Sequence, residues 1–310
     1  MVFNSIFFIF CFLPVFMLIY YLVPGKLRNL LLFLGSLIFY AWGEPVYVIL
    51  MLFSSIFNYY MGTELERLYY DDRKQKINLI FSIIINLAVL VFFKYYGFLL
   101  NTIGGIIGIH IPHPELSLPI GLSFYTFRNL SYLFDIYLSK VSAQRNFLTF
   151  AVYSTMFPYT SAGPIVRYTD IETQLKQRTI NISKFGTGAE LFVKGLAKKV
   201  LLADNLSVLY SSICGHPQMS VFTSWLGILA YTMQLYFDFS GYSDMAIGLG
   251  KMLGFDFNKN FDYPYISTSV SEFWRRWHIS LGSWFRDYIY IPLGGNRVST
   301  LKHIRNILVV

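Results

Sequence analysis

The sequence predicts an all-α, polytopic integral membrane protein, and three observations carry that prediction. Hydrophobic residues make up 55% of the 310 residues and aromatic residues 19%, whereas charged residues are only 14%; the mean hydropathy is +0.49. So few charges cannot cover the water-facing surface of a chain this long, so most of the outer face must meet lipid. Uncharged runs long enough to cross about 30 Å of hydrocarbon recur along the chain. The basic residues cluster between those runs, as orientation signals do. That placement accounts for the net charge of +8, from 25 Lys+Arg against 17 Asp+Glu, without nucleic acid as a partner. Cys11 and Cys214, the two cysteines, both lie in apolar stretches, so neither a disulfide framework nor a cysteine-based metal site is expected. A single membrane domain over residues 1–310 is the expectation.

Met1 to Gly25 holds no charged side chain and forms the first predicted span. A cleaved signal peptide is the alternative, but no basic region precedes the apolar run and no small-x-small site follows it. After Lys26 and Arg28 come two uncharged stretches, Asn29 to Gly43 and onward to Thr63, separated by Glu44-Pro45; they read as two spans joined by a tight turn. Basic loops stay cytoplasmic. The Lys26/Arg28 loop and the Arg67 to Lys76 loop therefore lie inside, the Glu44 turn outside, and the N-terminus is extracytoplasmic. Ile77 to Leu100 returns outward, with Lys94 reaching the interface on its long stem. Asn101 to Pro119 is then an outer loop. His110 and His113 have a spacing that metal ligands use, but Pro112 breaks a helix between them and Glu115 is the one nearby carboxylate, so no metal site is expected.

Asn146 to Val166 is 21 residues without a charge, yet Lys140 and Arg145 precede it and Arg167, Lys176 and Arg178 follow it. Basic flanks on both sides contradict a simple crossing. Pro158, Gly163 and Pro164 break its second half, which predicts a re-entrant segment that dips in and returns to the same side. Glu190 to Leu202 reads as an interfacial cytoplasmic helix, with Glu190 and Lys194 as an i,i+4 pair. Asn205 to Phe237 is 33 residues without a formal charge, interrupted by Gly215-His216-Pro217, which predicts a hairpin with a short outer turn.

Two stretches place polar groups where such a protein excludes them. The first runs from Tyr231 to Asp244 and contains Tyr236, Asp238, Ser240 and Ser243. Asp238 and Asp244 mark either a water-filled cavity or a membrane edge, with Asp238 as a helix-end cap in the bland reading. Six positions apart, the two do not share one helical face. The second runs from Ser271 to Tyr288. On a continuous helix Trp274, Trp277, His278 and Leu281 form one stripe, with Arg275, Arg276 and Arg286 mostly elsewhere. His278 is then either a satisfied core histidine or an imidazole in a water-excluding aromatic pocket. Arg275 and Arg276 either hold an anionic group or anchor lipid headgroups. Gly248-Leu-Gly250-Lys-Met-Leu-Gly254 misses dinucleotide spacing by one residue and predicts close helix packing. Gly294-Gly295-Asn296-Arg297 predicts a turn.

Three segments carry a family resemblance: Leu118 to Phe127, Met156 to Tyr168, and Tyr231 to Asp244 followed by Ser271 to Arg297. In these the chain resembles the membrane-bound O-acyltransferases, in the branch that contains bacterial alginate O-acetyltransferase. The resemblance implies a ring of tilted transmembrane helices with re-entrant segments. It also implies transfer of an acyl group, here acetyl, from a cytoplasmic thioester such as acetyl-coenzyme A towards hydroxyls of a cell-surface polysaccharide. No cofactor is bound in that chemistry; the thioester is a substrate. It implies His278 at the catalytic site, with Arg167, Tyr236, Asp238, Ser240, Ser243, Asp244, Trp274, Arg275, Arg276 and Trp277 lining the tunnel, and a partner protein outside the membrane that completes acetylation.

The family carries a further histidine, usually considered catalytic, in a Gly-Leu-Trp-His-Gly-type segment that these 310 residues do not contain. Asn306 to Val310 begins an apolar run of five residues, too short to span. The expectation is a C-terminally truncated portion of a longer fold, possessing reduced or no activity by itself. Lys302, His303 and Arg305 read as a juxtamembrane cluster, not as a substitute site. Two other readings compete: D-alanyl transfer from a carrier protein to teichoic acid, and a non-enzymatic transporter whose Asp238 and Asp244 line a permeation path.

Overall fold

The computed structural model describes residues 1–109, 111–112, 114, 116–216 and 220–310; the expectations for His110 and His113 lie outside the described residues. Among these residues there is no strand. Helices follow in the order α1 (Leu13–Leu22), α2 (Arg28–Ala41), α3 (Val48–Arg67), α4 (Asp72–Ile107), α5 (Leu122–Tyr137), α6 (Phe147–Thr155) and α7 (Tyr168–Lys176). They continue with α8 (Ile182–Ala197), α9 (Asp204–Cys214), α10 (Val221–Met252), α11 (Val270–Arg276), α12 (Ile279–Phe285) and α13 (Thr300–Val309). Side chains at several N-termini satisfy amides that have no helical partner: Asp71 accepts from Lys74, Asn146 from Thr149, Asn181 from Lys184, Ser220 from Thr223 and Ser269 from Glu272. The chain divides into two compact units.

One unit comprises Pro24–Ser161 and Arg167–Thr169. Its α2 and α3 are the expected pair on either side of the Glu44 turn. Both α3 and α4 are long and apolar enough to cross a membrane. With 36 residues, α4 runs about 54 Å at 1.5 Å per residue, longer than the hydrocarbon, and absorbs the start of the expected outer loop. Gly108, at φ 70°, ends it in a left-handed cap. Gly121, at φ 74°, starts α5 so close to the next segment that a Cβ there would lie 2.0 Å from the Thr160 carbonyl oxygen. The break expected in the second half of 146–166 is present: α6 stops at Thr155 and Pro158 sits in a 3-10 turn over Phe157–Tyr159. Residues 150–160 are all buried, which supplies the protein surroundings that irregular backbone at low dielectric requires.

Buried polar side chains tie these helices together. Asn58 of α3 and Asn86 of α4 exchange amide hydrogen bonds of 3.0 and 2.8 Å. Asn129 of α5 donates to Ser54 Oγ at 3.1 Å and accepts from Ser154 Oγ of α6 at 3.0 Å. Next to it Arg128 is fully buried and donates to the carbonyls of Ser154 (2.9 Å) and Tyr159 (2.7 Å), with its guanidinium 4.6 Å from the Tyr159 ring centre.

The other unit comprises Met1–Val23, Ala162–Val166 and Asp170–Val310. Here α8 and α9 are one continuous helix through a π-helical turn at Lys198–Ala203, and α10 packs along it as the second arm of a hairpin. The helix expected over Glu190 to Leu202 is present, but as the middle of the first arm and not as an element of its own. The Glu190–Lys194 pair forms as expected, at 2.6 Å. The arms approach at glycines, Gly188 against Gly248 and Gly195 against Gly241, where a Cβ would come within 2.7 Å of the opposing carbonyl oxygen. Close packing is thus the use of Gly248, as predicted. The N-terminal helix joins this unit through Tyr20 and Tyr21, whose hydroxyls donate to the carbonyls of Leu253 (2.7 Å) and Met252 (2.6 Å). Its other face is apolar and open, Phe10 being 72% and Leu22 75% exposed, as a lipid-facing surface requires.

Gly294 and Gly295, at φ 97° and 56°, make the expected turn. Asn306 of α13 donates to the Leu293 and Gly295 carbonyls at 3.2 and 3.0 Å and fixes that helix to the turn.

Candidate active site

The segment after α10 folds into loop and short helix, and His278 stands at its centre. The continuous helix expected over Trp274 to Leu281 does not form. Instead α11 ends at Arg276, Trp277 is extended, and His278 takes a left-handed conformation (φ 44°, ψ 55°) before α12 begins. That conformation costs a non-glycine residue about 1–2 kcal/mol. Backbone pairing imposes it: Asp262 N–H donates to the Arg276 carbonyl at 2.9 Å and Ile279 N–H to the Asn260 carbonyl at 2.9 Å, so bonds bracket the histidine on both sides. The consequence is that Trp274 and His278 do not share a stripe. Trp274 is 60% exposed, while His278 turns inward.

An aromatic shell surrounds the imidazole. Phe239 meets it edge-on with ring centres 4.7 Å apart, and Phe261 lies nearly parallel at 6.4 Å. Trp277 packs on Phe261 (5.1 Å) and Phe273 (5.6 Å), and Tyr236 touches Phe261 at 6.1 Å and Tyr265 at 5.4 Å. Burial among these rings pushes the imidazole down to about 4, so at neutral pH it is an uncharged base. On its Nδ1 side stands buried Asn260, whose Oδ1 is 3.1 Å away, with Ser280 Oγ at 3.4 Å. Asn260 also bonds Ser243 Oγ through Nδ2 at 3.1 Å.

The structure brings Tyr236, Ser243, Trp277 and His278 together. Asp238 is not at a helix end; it lies within α10 and pairs with Lys199 at 2.8 Å, which corrects the capping reading. Asp244 pairs with Lys198 at 2.6 Å. Each carboxylate thus has its own lysine from the opposing arm, which offsets its charge. Lys198 and Asp244, with Lys194, Lys259, Tyr236, Phe261 and Tyr263, line a cleft of about 650 Å³. Ser240 is buried, and its hydroxyl makes no hydrogen bond among the described residues.

Arg276 is committed to Glu272 (2.8 Å) and Asp262 (3.5 Å), and Arg275 is exposed with its Nε donating to the Ser271 carbonyl at 3.2 Å. Thr268 N–H, the Arg276 guanidinium and the Thr268 hydroxyl hold the Glu272 carboxyl down at about 2. Arg167 belongs to the other unit.

Sequence reasoning missed Asn260 and Arg128. Asn260 lies in an aperiodic polar loop with no signal of its own. Arg128 is the one basic residue in a helix whose other charge is Asp135, and a charge among so many apolar neighbours by itself marks a constrained position.

A family model for the membrane-bound O-acyltransferases matches residues 44–310. The chain is 45% identical over 311 aligned residues to the probable alginate O-acetylase AlgI of Pseudomonas aeruginosa, covering 99% of this chain and 60% of that protein. It is 35% identical over 345 aligned residues to the peptidoglycan O-acetyltransferase of Helicobacter pylori, covering 100% of this chain and 65% of that one. It is 28% identical over 189 to the teichoic acid D-alanyltransferase of Bacillus subtilis, covering 59% and 47%. The chain spans about three-fifths of the length of the alginate relatives it matches. It belongs to the membrane-bound O-acyltransferase family.

Proposed function

We propose that this chain forms part of a membrane O-acetyltransferase that moves an acetyl group from a thioester, acetyl-coenzyme A or another acyl carrier, to hydroxyls of a cell-surface polysaccharide. The donor reaches the site from the cytoplasm, the acceptor lies outside, and the N-terminus is extracytoplasmic. A separate extracytoplasmic protein completes the modification. The observation that carries the catalytic part is His278: a neutral imidazole held in an aromatic shell by buried neutral partners.

The acceptor hydroxyl gives its proton to the imidazole as its oxygen attacks the thioester carbonyl. The carbon–sulfur bond then breaks, and the leaving sulfur takes the proton from the imidazolium, so ester and free thiol are the products. A positioned base of this kind contributes about 10²–10⁴ in rate. Water exclusion by Phe239 and Phe261 protects the thioester from hydrolysis.

In the protein as its gene encodes it, His278→Ala is expected to reduce cell-surface O-acetyl content strongly at unchanged protein abundance; normal acetylation would remove His278 from the mechanism. Alginate-like acetylation is favoured over D-alanyl transfer to teichoic acid, because the D-alanyltransferase likeness covers 59% of the chain at 28% identity. Binding of an acyl carrier protein in place of acetyl-coenzyme A would reverse that preference.

A further inference from the structure

We infer that Asn260 is a positioning residue that fixes His278 as the Nδ1–H tautomer and so leaves Nε2 as the nitrogen able to accept a proton. The donors and acceptors around the ring leave one consistent assignment. Ser280 N–H points at Asn260 Oδ1 from 3.2 Å, and an amide N–H can only donate, so this atom of Asn260 is the carbonyl oxygen. The other end, Nδ2, then donates to Ser243 Oγ at 3.1 Å, which is consistent with the same orientation.

Ser280 Oγ receives the Ile165 N–H at 2.9 Å and gives its own proton to Asn260 Oδ1 at 2.8 Å. Both neighbours of His278 Nδ1, at 3.1 and 3.4 Å, are therefore oxygens with no proton left to offer it. Nδ1 must carry the hydrogen. Asn260 and Ser280 are 1% and 8% exposed, so water does not compete for these bonds.

The backbone locks the arrangement. Ile279 N–H binds the carbonyl of Asn260 itself at 2.9 Å, so the residue that orients the ring also sets the left-handed turn carrying it. A partner that holds an imidazole in one tautomer acts on rate through the ring, without touching substrate.

The catalytic consequence rests on the reading of His278 as the base, but the tautomer does not, and the experiment separates them. The full-length protein, labelled with ¹⁵N-histidine and reconstituted in nanodiscs, is examined by NMR at neutral pH, with His278→Gln assigning the resonance. A protonated Nδ1 and bare Nε2 are expected; a protonated Nε2 would overturn the inference whatever the activity. Asn260→Leu should lose the fixed tautomer and lower kcat about 10- to 100-fold with KM little changed. Asn260→Asp keeps an acceptor for Nδ1–H and Ser280 N–H and adds a negative charge, so the protein folds and the acid limb of its pH–activity profile moves to higher pH. An unmoved limb in a folded, active Asn260→Asp protein would also count against the contact. If the tautomer is as stated while His278→Ala leaves acetylation intact, the catalytic reading fails and the hydrogen-bond assignment survives.

Discussion

The backbones of Gly188 and Gly248 touch: a methyl group on either would stand 2.6 Å from the carbonyl oxygen of the other. Gly248→Ala must therefore push the two arms of the hairpin apart. A cost of about 1–3 kcal/mol is expected, as for other overpacked contacts, read as a lower Tm in detergent. Gly186→Ala, two residues from Gly188 with nothing within 4 Å of the added carbon, is the control. It should be neutral or raise Tm, because alanine is the better helix former.

Asn58 and Asn86 are the second test. Each amide satisfies the other between two helices that are long and apolar enough to span. Asn58→Leu leaves Asn86 lacking its reciprocal partner, and the reverse holds for Asn86→Leu. A double-mutant cycle in detergent unfolding should give a coupling of about 0.6–1.7 kcal/mol, with the double variant less destabilised than the sum of the singles. A coupling of zero would mean that each side chain finds another partner.

Arg128 bonds two carbonyls at once through its two terminal nitrogens. Arg128→Met should cost about 1–3 kcal/mol for each carbonyl orphaned, seen as reduced folded yield and Tm. Arg128→Lys should not restore it, since an ammonium lacks the planar fork that reaches both. A more stable Met variant would show instead that desolvation of the guanidinium outweighs its bonds.

The pH dependence of His278 has a definite sign. Burial lowers its folded value to about 4, against about 6.5 when unfolded. Above pH 6.5 neither state binds the proton and there is no contribution. Between 6.5 and 4 the unfolded chain takes up a proton that the folded protein refuses, so stability falls as pH falls. The Tm of the wild type should drop faster over that interval than that of His278→Gln. The acid limb of kcat/KM should likewise lie nearer pH 4 than 6.5.

Much of the helical framework was legible, because an uncharged run bounded by Lys/Arg or by Gly and Pro has few other solutions. The turn at Glu44, the break at Pro158 and the close glycine contacts all followed from such local signals. What was not legible depends on partners distant in sequence. Trp274 to Leu281 fits helical periodicity well, and only pairing with residues 260–262 shows why the helix stops at His278. Asp238 read as an end cap because its lysine lies in the opposing arm. Nothing in the neighbourhood of Asn260 distinguishes it from any loop asparagine; its meaning comes from Ser280, whose hydroxyl takes the Ile165 N–H and donates to Asn260.

The π-helical turn at Lys198–Ala203 gives the first arm one residue more than an ordinary helix would hold there. Its first two residues, Lys198 and Lys199, supply the cations for Asp244, Asp238 and Asp204. Removing one codon from this stretch would restore regular winding and leave the helix beyond it close to its present phase, because the π turn holds its extra residue within a single widened turn. The widened turn thus bears on the lysines and not on the crossing: Gly188 and Gly195, which touch the opposing arm, both lie before it.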